Sequence, residues 1–83
     1  MLKVDTIKKW NKRGWILRKP LEFKVFKTDS GTILECKKPR MTLLVNSTSE
    51  KDYLKAINRE LLSMVKAKEL DTDFLGKEVL IRE

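Results

Sequence analysis

From Ser47 to Glu69 the sequence carries a helix start followed by an apolar stripe. Ser47-Thr48-Ser49-Glu50 has the S-x-x-E form of a capping box, and Leu54, Ile57, Leu61, Met64 and Val65 follow at helical spacing. The pattern predicts a helix from about Glu50 to Glu69, which at 1.5 Å per residue is roughly 30 Å long. A helix with one apolar face needs a second layer to cover that face. With 83 residues, the chain has room for one small domain built on one modest core.

The second layer is legible upstream. Pro20 blocks helix continuation, and Leu21, Phe23 and Val25 alternate with Glu22, Lys24 and Phe26 as in a strand. Thr28-Asp29-Ser30-Gly31 is a hairpin turn signal, and Thr32–Cys36 reads as the next strand. Lys37-Lys38-Pro39-Arg40 interrupts it, and Met41–Val45 resumes with Met41, Leu43 and Val45 on one side. Three consecutive strands with short connections form an antiparallel meander.

Val4–Arg13 reads as a short helix, with Asp5 as cap, Val4, Ile7 and Trp10 on one face, and Gly14 in the left-handed position beyond its end. Trp10 and Trp15 then clamp the helix end onto the core as structural residues. The expected fold is therefore α+β, an α-β-β-β-α two-layer arrangement in which helices cover one face of a three-stranded antiparallel meander. Residues 1–83 form a single domain, with a core of about residues 4–70 and a C-terminal extension over 71–83. In that extension Phe74 and Leu75 pack back on the core, and Val79-Leu80-Ile81 is either a short strand or an ordered tail.

Charge points to the partner. Twelve cations lie in the first forty residues against four acids, Asp5, Glu22, Asp29 and Glu35, a net +8, while residues 41–83 carry seven cations against eight acids, a net −1. So concentrated a positive field attracts polyanions, and nucleic acid is the first candidate. In the expected fold Lys12, Arg13, Arg18, Lys19, Lys37, Lys38 and Arg40 converge on one pole of the sheet, joined by Lys66 and Lys68, as a phosphate-binding footprint.

The order of elements resembles the double-stranded RNA-binding domain, a fold that HicA-type mRNA interferase toxins also use. Ile7-Lys8-Lys9-Trp10-Asn11-Lys12-Arg13-Gly14-Trp15 looks like the first helix and its exit in those families. Ser49-Glu50-Lys51-Asp52-Tyr53-Leu54-Lys55 falls where the RNA-binding domain carries a Ser-Lys-Lys-x-Ala-Lys type motif that holds phosphates. The resemblance covers residues 5–69 in topology, implies RNA over DNA, and adds Lys51 and Lys55 to the nucleic-acid-binding set. The chain departs from the motif at Glu50 and Asp52, and its turn Thr28–Gly31 lacks the Pro-His presented to the minor groove. It contains no histidine, which a HicA-type toxin requires.

Enzymatic chemistry has little to stand on. There is no His for acid–base work, no Cys or His cluster for a metal, and no Gly-rich phosphate loop. Cys36 reads as a buried structural thiol, and Glu22 and Glu35 as charges that balance Lys24 and Lys37 on a solvated face, the alternative being a carboxylate pair facing across the first two strands. No cofactor is expected. One cysteine forms no intramolecular disulfide, and no apolar run reaches the ~20 residues that span a bilayer, so a cytoplasmic, non-membrane protein is expected. The leading expectation is a non-enzymatic nucleic-acid-binding module that contacts phosphates through a basic pole. The alternative is a small inhibitor or antitoxin-like protein that binds an acidic surface, since strands followed by Ser47-Thr48-Ser49-Glu50 and a helix also resemble HicB-type antitoxins.

Overall fold

A computed structural model describes residues 1–9, 12–68 and 74–81. Its elements run β1 (Leu2–Lys8), β2 (Arg13–Thr28), β3 (Gly31–Cys36), β4 (Met41–Val45), α1 (Glu50–Lys66) and β5 (Leu75–Leu80). The strands hydrogen-bond in the order β1-β2-β3-β4, and β5 pairs with β2. This is a small α+β domain with an antiparallel sheet and, among the described residues, one helix. The chain divides into two compact units, Met1–Val4 with Leu21–Ile57, and Asp5–Pro20 with Asn58–Glu83.

In the first unit the meander forms as its alternation predicts. Phe23, Val25 and Lys27 pair with Cys36, Leu34 and Thr32, which in turn pair with Met41, Leu43 and Val45. Because strand side chains alternate faces, these residues share one face, where Phe23, Thr32, Leu34, Cys36, Met41 and Val45 are buried. Tyr53 and Ile57 of α1 complete this core. The Asp29-Ser30 turn closes β2 onto β3, and Gly31 follows it at φ 145°, a conformation that L side chains rarely adopt. A Cβ there would also meet the Val45 carbonyl.

The start of α1 differs in detail from the expected box. Asp52 and Tyr53 donate backbone N–H bonds to the Ser49 carbonyl at 3.1 Å, which makes Ser49 the cap residue. Ser47 stands outside the helix, where its hydroxyl donates to Asp52 Oδ2 at 2.6 Å and accepts from the Ser49 N–H at 3.1 Å. The buried stripe is Tyr53, Ile57 and Leu61, whereas Leu54 is 41% exposed.

The second unit corrects the expected first helix. Residues 2–8 form a strand, and the segment through Arg13, Gly14 and Trp15 opens β2. Val4, Thr6 and Ile7 are β-branched and favour extended backbone, while a ten-residue helix gains little by itself. Val4 and Ile7, three residues apart, are both buried in this strand, Val4 belonging to the first unit and Ile7 to the second. Gly14 is not a helix stop but a buried strand residue, where an added Cβ would collide with the Ile7 carbonyl and the Ile81 side chain. The left-handed residue of this turn is Lys12, at φ 59°. Trp10, and with it the Trp10–Trp15 clamp, lies outside the described residues, as do Glu69 and the expected break at Leu70–Asp73.

The expected α-β-β-β-α layout thus gives way to β-β-β-β-α-β. The segment read as an extension contributes β5, whose Leu80, Val79, Glu78 and Leu75 pair with Arg13, Gly14, Trp15 and Leu17 of β2, with an irregularity between Trp15 and Leu17. Pro20 lies inside β2 and not before it. It falls between the residues that pair with β5 and those that pair with β3, so neither of these two ladders needs its missing N–H.

Candidate nucleic-acid interface

Each of the eleven cations singled out from the sequence is exposed. Among the described residues only Lys3–Glu22, at 4.0 Å, and Lys9–Glu78, at 3.4 Å, form ion pairs, and neither uses any of the eleven. Lys37, Lys38, Arg40, Lys51 and Lys55 belong to the first unit, and Lys12, Arg13, Arg18, Lys19, Lys66 and Lys68 to the second.

Lys37, Lys38 and Arg40 occupy the four-residue connection between β3 and β4, closed by the Cys36–Met41 pair and containing a cis Lys38–Pro39 bond. The Cys36 thiol donates to the Lys38 carbonyl at 3.6 Å and ties the turn to the buried strand end. Beside it lies an open recess of about 260 Å³ lined by Glu35, Cys36, Lys37, Arg40 and Thr42. Glu35 brings one negative charge to this wall, and Lys24 stands opposite it in the β2–β3 register. Glu22 pairs with Lys3 instead of facing Glu35, so the two carboxylates are not a cross-strand pair. Desolvation by burial pushes the Cys36 thiol above its ordinary pKa, against a smaller lowering by its bond to the Lys38 backbone. Such a thiol is a poor nucleophile at neutral pH.

Lys51 and Lys55 stand one turn apart on α1, exposed, where spacing by four puts them on one side of the helix. Glu50 and Asp52 share that first turn, so the local field is mixed.

In the second unit the backbone beneath the cations is fixed. The Lys12 carbonyl accepts from the Ile81 N–H at 2.6 Å and the Arg13 carbonyl from the Lys9 N–H at 2.5 Å. Arg18 and Lys19 stand within β2, not ahead of it as expected. The Lys9 ammonium lies 4.1 Å from the centre of the Trp15 ring and also reaches Glu78, so one face of this indole already holds a cation.

Sequence reasoning passed over Phe26, which is 47% exposed on the sheet face opposite the core. Period-two alternation carried the signal, because it set Phe26 with Glu22 and Lys24 and away from Phe23. Among the described residues no three acidic, Cys or His side chains gather as a metal would require, and no helix is long and apolar enough to cross a membrane. Comparison with protein-family models, with curated proteins and with solved structures gives no match.

Proposed function

We propose that the protein is a non-enzymatic nucleic-acid-binding module that holds phosphates on lysine and arginine side chains, with RNA as its first candidate partner. The observation that carries this reading is the β3–β4 turn, where Lys37, Lys38 and Arg40 put three exposed cations within four consecutive residues on a hydrogen-bonded connection. A fixed backbone lowers the entropy lost when such side chains engage phosphate, and each contact releases counterions. Lys12, Arg13, Arg18 and Lys19 add a second basic set on β2. The reading rests on these cations and the net charge of +7, not on the motif resemblance.

The test is a salt titration of binding to double-stranded RNA, double-stranded DNA and single strands. Replacing Lys37, Lys38 and Arg40 together by Ala is expected to weaken binding and to flatten log K against log[salt] by about 2 to 3 units, since each phosphate contact contributes roughly 0.7–0.9. Replacing Lys51 and Lys55 should change the slope much less. Dominance of that second pair would move the site to α1. Failure of the wild type to bind any nucleic acid at moderate salt would transfer these cations to an acidic protein surface, the reading of a small inhibitor or antitoxin-like protein.

A further inference from the structure

Two strands end the paired path β1-β2-β3-β4, and they are treated differently. On β1, the Asn58 side chain accepts from the Lys8 N–H at 2.6 Å and donates to the Lys8 carbonyl at 3.1 Å, standing in for a neighbouring strand. Lys3, Asp5 and Lys8 also charge that strand. Both devices keep other chains from pairing with an edge.

Among the described residues strand β4 has neither protection. Its sheet neighbour among them is β3, so alternate N–H and C=O groups of Met41–Val45 point away from that pairing. The run Met41–Ser49 is the longest stretch without a charged residue in a chain that is 37% charged, and it contains no Gly or Pro. On the sheet face opposite the core, the register aligns Phe26, Ile33 and Leu44 in one row that ends at this edge, with Leu44 79% exposed.

We propose that β4 pairs with β4 of a second copy, antiparallel about a two-fold axis at Leu43. The sequence is self-complementary in this register. Met41 meets Val45 of the other copy, Leu43 meets its own counterpart, and Thr42 meets Leu44. Every pair joins residues of the same face, as strand alternation demands, and no charge opposes another. Leu44 gains the other copy's Thr42 beside it and Leu44 as a diagonal neighbour, which covers the open end of its apolar row. The charge of +7 opposes contacts between copies in general, and β4 carries no charge of its own to add to that repulsion. It also fixes an unusual salt response. Self-association should strengthen as salt screens the repulsion, whereas phosphate binding weakens.

The experiment is sedimentation of the wild-type protein across concentration and salt, with amide exchange of β4 followed in the same samples. A dimer that tightens with salt, together with slower exchange of the β4 amides as concentration rises, is the expected result. Exposed Thr42 and Leu44 then supply a charge swap. The Thr42→Lys, Leu44→Lys variant and the Thr42→Glu, Leu44→Glu variant should each lose the dimer, and their equimolar mixture should restore it as a heterodimer. A wild type that stays monomeric overturns the proposal and leaves the edge to an extended segment of another protein. A dimer without added protection at β4 overturns it equally, whether or not the variants fold.

Discussion

Among the described residues Thr32 is the polar side chain wholly withdrawn from water, and it sets its own proton order. Its Oγ1 lies 2.7 Å from the Ser47 carbonyl and 2.7 Å from the Tyr53 hydroxyl. The carbonyl can only accept, so the single Thr32 proton goes to Ser47 and the Tyr53 phenol donates to Thr32. Thr32→Val strands both the carbonyl and the phenol and should cost about 1–3 kcal/mol, whereas Tyr53→Phe leaves the Ser47 bond intact and should cost about 0.5–1.5 kcal/mol. Urea unfolding of the two variants checks this, and a Tyr53→Phe cost as large as that of Thr32→Val would mean that the Thr32–Ser47 bond contributes little. Cys36 yields a pH dependence. Its pKa is raised in the folded state, so as pH rises through the ordinary thiol range the unfolded chain loses a proton that the folded chain retains, and stability falls. Melting curves of wild type and Cys36→Ala should separate over that alkaline window and run parallel below it.

At the level of elements, α1 and the meander were legible because their signals are local. Period-two alternation over Leu21–Val25, a turn with Gly31, and three-and-four spacing over Ile57–Val65 each depend on residues near one another in the chain. The stripe was misjudged at its start, where Tyr53 and Leu54 both offered apolar side chains and the hydrogen bond to Thr32 favours Tyr53, and at its end, where Met64 and Val65 are only half-buried and α1 stops at Lys66. Leu61 has no exposed surface, and Leu61→Ala is expected to cost about 2–5 kcal/mol, read as an earlier midpoint in chemical denaturation. A full-length cooperative transition at the wild-type midpoint would remove Leu61 from the core. The strands β1 and β5 were misread or left open because the facts that decide them are not local. Gly14 is equally good as a helix stop and as a site of close approach, and only its encounter with Ile7 and Ile81 distinguishes the two. Nor does anything within Leu75–Leu80 announce a partner at Arg13–Leu17. Of the candidate interface, the exposure of the cations was readable, while the tether from Cys36 and the Lys9–Trp15 contact required the fold.

Over the whole molecule, the charge asymmetry of the sequence does not survive as an asymmetry of folded units. The first unit holds eight cations against five acids, a net +3, and the second eleven against seven, a net +4. The boundary runs through β1, β2 and α1, so each unit takes residues from both halves of the chain. A polyanion therefore meets positive charge on either unit, and the triple substitution in the β3–β4 turn should reduce the salt slope without abolishing it. The long strand β2 also carries a schedule. Its C-terminal half finds β3 across a two-residue turn, almost as soon as both exist. Its N-terminal half must wait for β5, which is made only after the meander and the helix. During synthesis, then, Arg13–Leu17 passes through an interval with its later partner absent, when that edge is open to chaperones or to neighbouring nascent chains.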